Sequence, residues 1–319
     1  MWRGRFDSIF SVFTFAAVLA ILCGGIQSFQ DAPFKRPESV YRDAMVCPRG
    51  ISNKTGGIIF LVHGAATTGA KTWGEGPFNE RLANYGPEYD VCWVNLPWNG
   101  LGDLQQSAEY VAYGIKHFAS LSHASGNKIN VIAHSQGAGA NNSKYMKAQN
   151  SESDEYSGAN AQVKTISIFS IYDQVVQWEG SKGKASYLKG ATMLSLQSEK
   201  LCGKGHIVGH LGIAEDLATL KIIQAIIPPS NPISNELDNF DKSSCRHLGG
   251  LWLKLISRWT YVLNVGMNFA VGPARMHKLF NEFAHLRVAK EPGLQSYVCE
   301  RGYATDCLPS NATFADLRE

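Results

Sequence analysis

The sequence contains no block of one charge sign. Its 30 Lys and Arg are interspersed with 27 Asp and Glu, giving a net charge of only +3. There is no basic stripe to follow a nucleic-acid backbone, so nucleic acid is excluded as a partner. No internal repeat or low-complexity run occurs, which argues against a stacked array. No helical pattern sets two histidines four apart beside Glu or Asp. His206 and His210 share that spacing, but in a glycine-rich loop. A metal centre is not expected, nor is any cofactor. Beyond residue 28 no apolar run is long and clean enough to span a bilayer. The richest stretch, 248–269, carries Trp252, Trp259, Tyr261 and Phe269 but is broken by Lys254 and Arg258.

What is present is the composition of a globular chain. Its 319 residues are 45% apolar and 18% charged, enough for one large α/β domain or two small ones. Residues 1–28 stand apart. Arg3 and Arg5 give a positive start, an apolar run covers 9–26, and Cys23, Gly24 and Gly25 supply small residues near its end. This is a secretory signal peptide, cleaved between about Gly25 and Ser28. The alternative is an uncleaved signal anchor that tethers the protein to a membrane. Outside that segment remain Cys47, Cys92, Cys202, Cys245, Cys299 and Cys307. Six cysteines on an oxidising route imply three bridges, in any of fifteen pairings. Sequons at Asn53, Asn141 and Asn311 also fit secretion. Asn53 and Asn311 are the expected glycosylation sites, because Asn141 falls on a predicted helix.

The stretch 129–139 organises the rest. Ile129, Val131 and Ile132 make it a short buried strand, after which Ala133-His134-Ser135-Gln136-Gly137 leads into a helix predicted to run to about Gln149. A serine on a sharp turn between strand and helix is a nucleophile elbow, and small residues two before and two after it allow the turn. The amino end of the following helix favours negative charge at the serine. Upstream, 57–62 is a continuous apolar strand ending in His63-Gly64-Ala65-Ala66-Thr67-Thr68-Gly69. A small-residue loop in that position supplies an oxyanion donor. The amides of Ala65 and Gln136 are the two candidates.

Further strands are expected at 90–96, 163–171 and 191–196, with helices at 78–85, 104–121 and 213–227. Residues 29–48 read as a polar arm. The alternation of strand and helix calls for a parallel sheet with helices on its faces. Asp173 then falls at the carboxyl end of a strand, and His210 in a glycine-flanked loop before a helix. The order Ser135, Asp173, His210 is that of α/β hydrolases. In this reading His210 takes the Ser135 proton, and Asp173 holds the imidazole tautomer. The stretch 248–269 reads either as a core helix on the sheet or as an apolar wall beside the site that touches lipid.

Residues 57–220 resemble the secreted lipase B family typified by Candida antarctica lipase B. The resemblance rests on Ile59-Phe60-Leu61-Val62-x-Gly64-x-x-Thr67-Thr68-Gly69, on Ser135-Gln136-Gly137, and on Tyr172-Asp173-Gln174-Val175-Val176-Gln177. It rests also on Cys202 ahead of Gly209-His210, and on the weaker Glu291-Pro292-x-Leu294-x-x-Tyr297. It implies an α/β-hydrolase fold, ester hydrolysis without a metal, and catalytic roles for Ser135, Asp173 and His210. It also implies bridges Cys47–Cys92, Cys202–Cys245 and Cys299–Cys307. Three departures stand out. The family carries Thr where this chain has Ala65, and loss of one oxyanion donor typically costs about 3–4 kcal/mol of transition-state stabilisation. Between Ser135 and Asp173 there is one strand, where the family has a further strand and a pocket-covering segment. The last cysteine pair is closer together than in the family.

The expectation is therefore a secreted, monomeric α/β hydrolase with one catalytic domain over 29–319 and a C-terminal extension from about residue 230. Its substrate is an acyl ester or lipid, in one version met at a lipid–water interface, and its activity is that of a lipase. The alternatives are an acyltransferase, a short-chain carboxylesterase, or a catalytically impaired lipid-binding relative.

Overall fold

A computed structural model describes residues 32–74, 76–135, 144–151, 160–173, 187–227, 237, 240–246 and 291–312. The signal segment expected at 1–28, the first part of the helix expected after the elbow (136–143, with Gln136) and the stretch 248–269 lie outside the described residues. Contacts divide the chain into Met1–Phe34 and Lys35–Glu319. Residues 32–34 of the first unit contain no helix or strand; the fold below is that of the second.

Its centre is a four-stranded sheet in the order β1-β3-β2-β4. Strands β2 (Ile58–Val62), β3 (Asp90–Val94) and β4 (Ile129–Ala133) are mutually parallel, with Phe60 opposite both Cys92 and Val131. Strand β1 (Met45–Val46) adds antiparallel to β3. Every residue of β2 and β3 is buried, the pattern of strands covered on both faces. Because side chains alternate along a strand, the two faces carry separate cores. Ile59, Leu61, Val91 and Trp93 face one way, under α2 (Pro77–Ala83) and α5 (Leu217–Ile226). Ile58, Phe60, Val62, Cys92 and Val94 face the other, under α1 (Glu38–Asp43) and α3 (Leu104–Leu121). Helix α3 lies close on the sheet because residue 114 is glycine; a Cβ there would stand 2.4 Å from the Phe60 ring.

A second, two-stranded parallel sheet joins β5 (Ile166–Phe169) to β6 (Thr192–Ser195). It has a core of its own in Leu196, Leu201, Val208 and Ile222, packed with Ile168 and Leu194. Helix α5 serves both cores, with Leu220 and Ile223 towards one and Ile222 towards the other. Also among the described residues are the helices α4 (Lys144–Gln149) and α6 (Ser296–Glu300). The C-terminal segment 291–312 is anchored on the first turn of α3. The Gln105 Nε2 amide donates to the Gly293 carbonyl at 3.1 Å, and Gln105 Oε1 accepts from the Gln295 amide at 2.8 Å. Disulfides join Cys47 to Cys92, Cys202 to Cys245, and Cys299 to Cys307.

Several sequence expectations need correction. The arm expected over 29–48 contains α1 and β1. Pro37 precedes the first turn of α1, where its fixed φ suits a helix start, and Tyr41 anchors the helix by packing on Tyr110 and Tyr113. The elbow strand β4 is half-buried and in places open, with Val131 44% exposed. Among the described residues it pairs only with β2, and the second sheet does not extend its ladder. The helix expected from residue 213 begins at Leu217. A 3-10 turn covers Gly212–Ala214, and Asp216 then caps α5 by accepting from the Thr219 amide at 2.8 Å. The strand expected over 163–171 shortens to β5, and α2 ends at Ala83. Among the described residues, no helix is long and apolar enough to cross a membrane.

Candidate active site

Strand β4 ends at Ala133, and the chain turns sharply through His134 and Ser135. Ser135 has φ +66°, a left-handed conformation that costs a non-glycine residue about 1–3 kcal/mol and recurs at functional sites. Strand β2, paired in register with β4, delivers Gly64 against this turn. A Cβ on Gly64 would lie 2.4 Å from the Ser135 Cβ and 2.9 Å from its Oγ. Only a residue without a side chain permits that approach.

The structure brings Ser135, His210 and Asp173 into one hydrogen-bonded line. Ser135 Oγ is 2.6 Å from His210 Nε2, and His210 Nδ1 is 2.8 Å from Asp173 Oδ2. A carboxylate accepts, so Nδ1–H donates to Asp173 and Nε2 is left to accept from the serine hydroxyl. The His210 and Asp173 side chains are only 7% and 12% exposed. Interactions between charges in this pair are thus screened less by water than at the surface.

The loops bearing Asp173 and His210 are tied together behind these side chains. Asp173 lies just past β5, and its amide donates to the Ser170 carbonyl at 3.2 Å. Ser170 Oγ donates to the Val208 carbonyl at 2.7 Å, two residues before His210. Buried Gln197 completes the brace. Its Nε2 donates to Ser170 Oγ at 3.0 Å and to the His206 carbonyl at 2.8 Å, while its Oε1 accepts from the Ile171 amide at 2.9 Å. Tyr172 adds a hydrogen bond from its hydroxyl to the Lys204 carbonyl at 2.7 Å.

The loop after β2 is held by His63, which is fully buried. Its Nδ1–H donates to the Gly64 carbonyl at 2.7 Å, and its Nε2 accepts from the Leu96 amide at 2.9 Å. Those partners require a neutral ring. Burial pushes its pKa below the ordinary histidine value, and the Gly64 carbonyl opposes this only in part. Further along, the Gly69 amide donates to Asn95 Oδ1 at 3.1 Å. Ala65 follows Gly64 directly and is exposed, and Ala66 has φ +61°. Gln136, the other candidate donor, falls outside the described residues.

His206 is turned away from the site. Its ring is 3.2 Å from Asp216 Oδ1 with both side chains 1% exposed, and its Nδ1 donates to the Cys245 carbonyl at 3.0 Å. It fastens the start of the histidine loop to the disulfide and to the cap of α5. Asn53 and Asn311 are both exposed, and Asn53 Oδ1 accepts from the Ala124 amide at 2.8 Å.

Gly64 falls in the oxyanion loop expected from the sequence, but no role is expected from it for His63, His134 or Gln197. The His-Gly pair after β2 and the His-Ser pair at the elbow were the available signals. Gln197 carried none, because its three partners, Ser170 and Ile171 on one loop and His206 on another, lie far from it along the chain or are reached only in the fold.

No family model matches the chain, and no curated protein sequence matches it. Among solved structures it is similar to Aspergillus fumigatus lipase B, with a TM-score of 0.54 and 18% identity. The match covers 69% of this chain and 65% of that one, just under two thirds of the lipase's length. At that identity the likeness is one of fold: the chain shares the α/β architecture of that structure.

Proposed function

We propose that this protein is a serine hydrolase of carboxylic esters, a lipase or esterase that works through an acyl-enzyme on Ser135. The observation that carries this reading is the hydrogen-bonded line from Ser135 through His210 to Asp173. His210 removes the Ser135 proton as Oγ attacks the ester carbonyl, then delivers it to the leaving alcohol. Water enters by the same route, with His210 again as base, and releases the acid. Asp173 fixes the ring and stabilises the imidazolium. The amides of Ala65 and Gln136 are the proposed donors to the oxyanion, with Ala65 offering no hydroxyl to add to them. The lipase-like fold agrees with an acyl-ester or lipid substrate. The three bridges agree with export, with residues 1–28 as the proposed signal, Asn53 and Asn311 as glycan acceptors, and 29–319 as one catalytic domain.

A fluorophosphonate probe tests the reading. The folded protein should be labelled at Ser135 and hydrolyse p-nitrophenyl esters, and Ser135→Ala should do neither. Folded protein that takes up no label would overturn it. Comparison of short and long acyl chains then separates esterase from lipase.

A further inference from the structure

His134 immediately precedes the proposed nucleophile, and the mechanism above does not use it. Its ring lies beside that of His210, with centroids 5.0 Å apart. Its Nε2 is 2.8 Å from the backbone carbonyl oxygen of His210. A carbonyl can only accept, so Nε2 carries the proton and donates. On its other side the ring meets Trp73 edge-on at 6.4 Å, and Trp73 is 1% exposed. The imidazole is therefore oriented by packing on one side and by a directed hydrogen bond on the other.

We propose that His134 is a positioning residue: its Nε2–H bond to the His210 carbonyl locks the loop bearing the base to the turn bearing the nucleophile. The two segments come from different parts of the chain, one directly after β4 of the four-stranded sheet and the other from the loop between β6 and the 3-10 turn at Gly212–Ala214. Apart from the Ser135–His210 bond itself, this hydrogen bond crosses directly from the elbow to residue 210. The Ser–His bond must break and re-form during each turnover, whereas the His134 bond persists through the cycle. It keeps the His210 ring within reach of Ser135 when the proton has left the serine. The low basicity of His134, held at about 4 chiefly by burial and then by the neighbouring His210, keeps the ring neutral near pH 7. A neutral ring adds no repulsion when His210 becomes an imidazolium.

This inference rests on the serine-hydrolase reading, so the test separates the two. Wild type, His134→Phe and His134→Gln are compared for kcat, KM, fluorophosphonate labelling rate and melting temperature. Phe keeps the ring against Trp73 but cannot donate; Gln restores a side-chain N–H. The Phe variant should lose roughly ten- to a hundredfold in kcat and labelling rate with KM within about twofold. Gln should recover most of the loss. In wild type, long-range proton–nitrogen spectra at neutral pH should show His134 as the Nε2–H tautomer, a readout that needs no variant to fold. If wild type labels normally and the Phe variant labels as fast, the positioning role is wrong while the hydrolase reading stands. Equal losses in Phe and Gln, or an Nδ1–H tautomer in wild type, also overturn it. If wild type itself does not label, both readings fall.

Discussion

The Gly64 Cα lies against Ser135 so closely that a methyl group on it would stand 2.4 Å from the serine Cβ. Real Cβ atoms do not approach so near, and both neighbours are backbone-constrained, one by the His63 hydrogen bonds and one by the turn after β4. Gly64→Ala should therefore push the loop and the elbow apart. A displacement of about 1 Å at a reacting centre typically costs on the order of a hundredfold in rate. The expected outcome is a loss of that size in kcat, with a lower melting temperature. Esterase assay and calorimetry on the same preparation check both.

Asp173→Asn keeps the shape of the acid but no longer dictates the His210 tautomer. Activity should fall by about 10⁴-fold with the fold intact, because an amide can donate to Nδ1 and leave Nε2 protonated towards Ser135. Circular dichroism of the variant should match wild type while its kcat collapses. A loss of only a few-fold would mean that another group serves as the acid.

Gln197 holds the acid loop and the base loop with one side chain. Gln197→Leu would leave the Ile171 amide, the His206 carbonyl and Ser170 Oγ without that partner. An unsatisfied buried polar group costs about 1–3 kcal/mol. Urea unfolding should register a destabilisation of at least that size, together with a fall in kcat as the Asp173–His210 geometry loosens.

Three histidines give stability a defined pH dependence. His63 is held below the ordinary value by burial, and His134 is lowered to about 4 by burial and then by His210. Below about 6.5 the unfolded chain takes up protons that these two refuse, so stability falls with pH, down to about 4 for His134. His206 has the opposite sign. Burial alone would lower it, but the neighbouring Asp216 carboxylate, with the Cys245 carbonyl, raises it overall. Its contribution is fully present below about 6.5 and is lost as pH rises through its folded-state value. Urea midpoints of wild type and His206→Gln should accordingly differ most at mildly acidic pH and converge as the solution becomes alkaline.

The elements that could be read from the sequence are those whose evidence is local. Strands β2 and β3 are continuous apolar runs because both faces are covered, and α3 spans Leu104–Leu121, as its periodicity predicts, with Asp103 as its cap. The start of α5 could not be read in the same way. Apolar residues continue back through Ile213, and only the Asp216 carboxylate on the Thr219 amide shows where the helix begins. The exposure of β4 was equally hidden, because it depends on whether another strand hydrogen-bonds alongside and not on Val131 or Ile132.

Chain order alone nominated Ser135, Asp173 and His210, since the residue types, the small neighbours and the strand ends are properties of the chain. The left-handed Ser135, the tie between the Asp173 and His210 loops through Ser170 and Gln197, and the partners of His63 and His134 were decided by tertiary structure. Hydrogen bonds to backbone carbonyls far along the chain leave no periodicity or spacing to read. A histidine that orients a loop has the same letter as one that faces solvent, and only the packed fold distinguishes them.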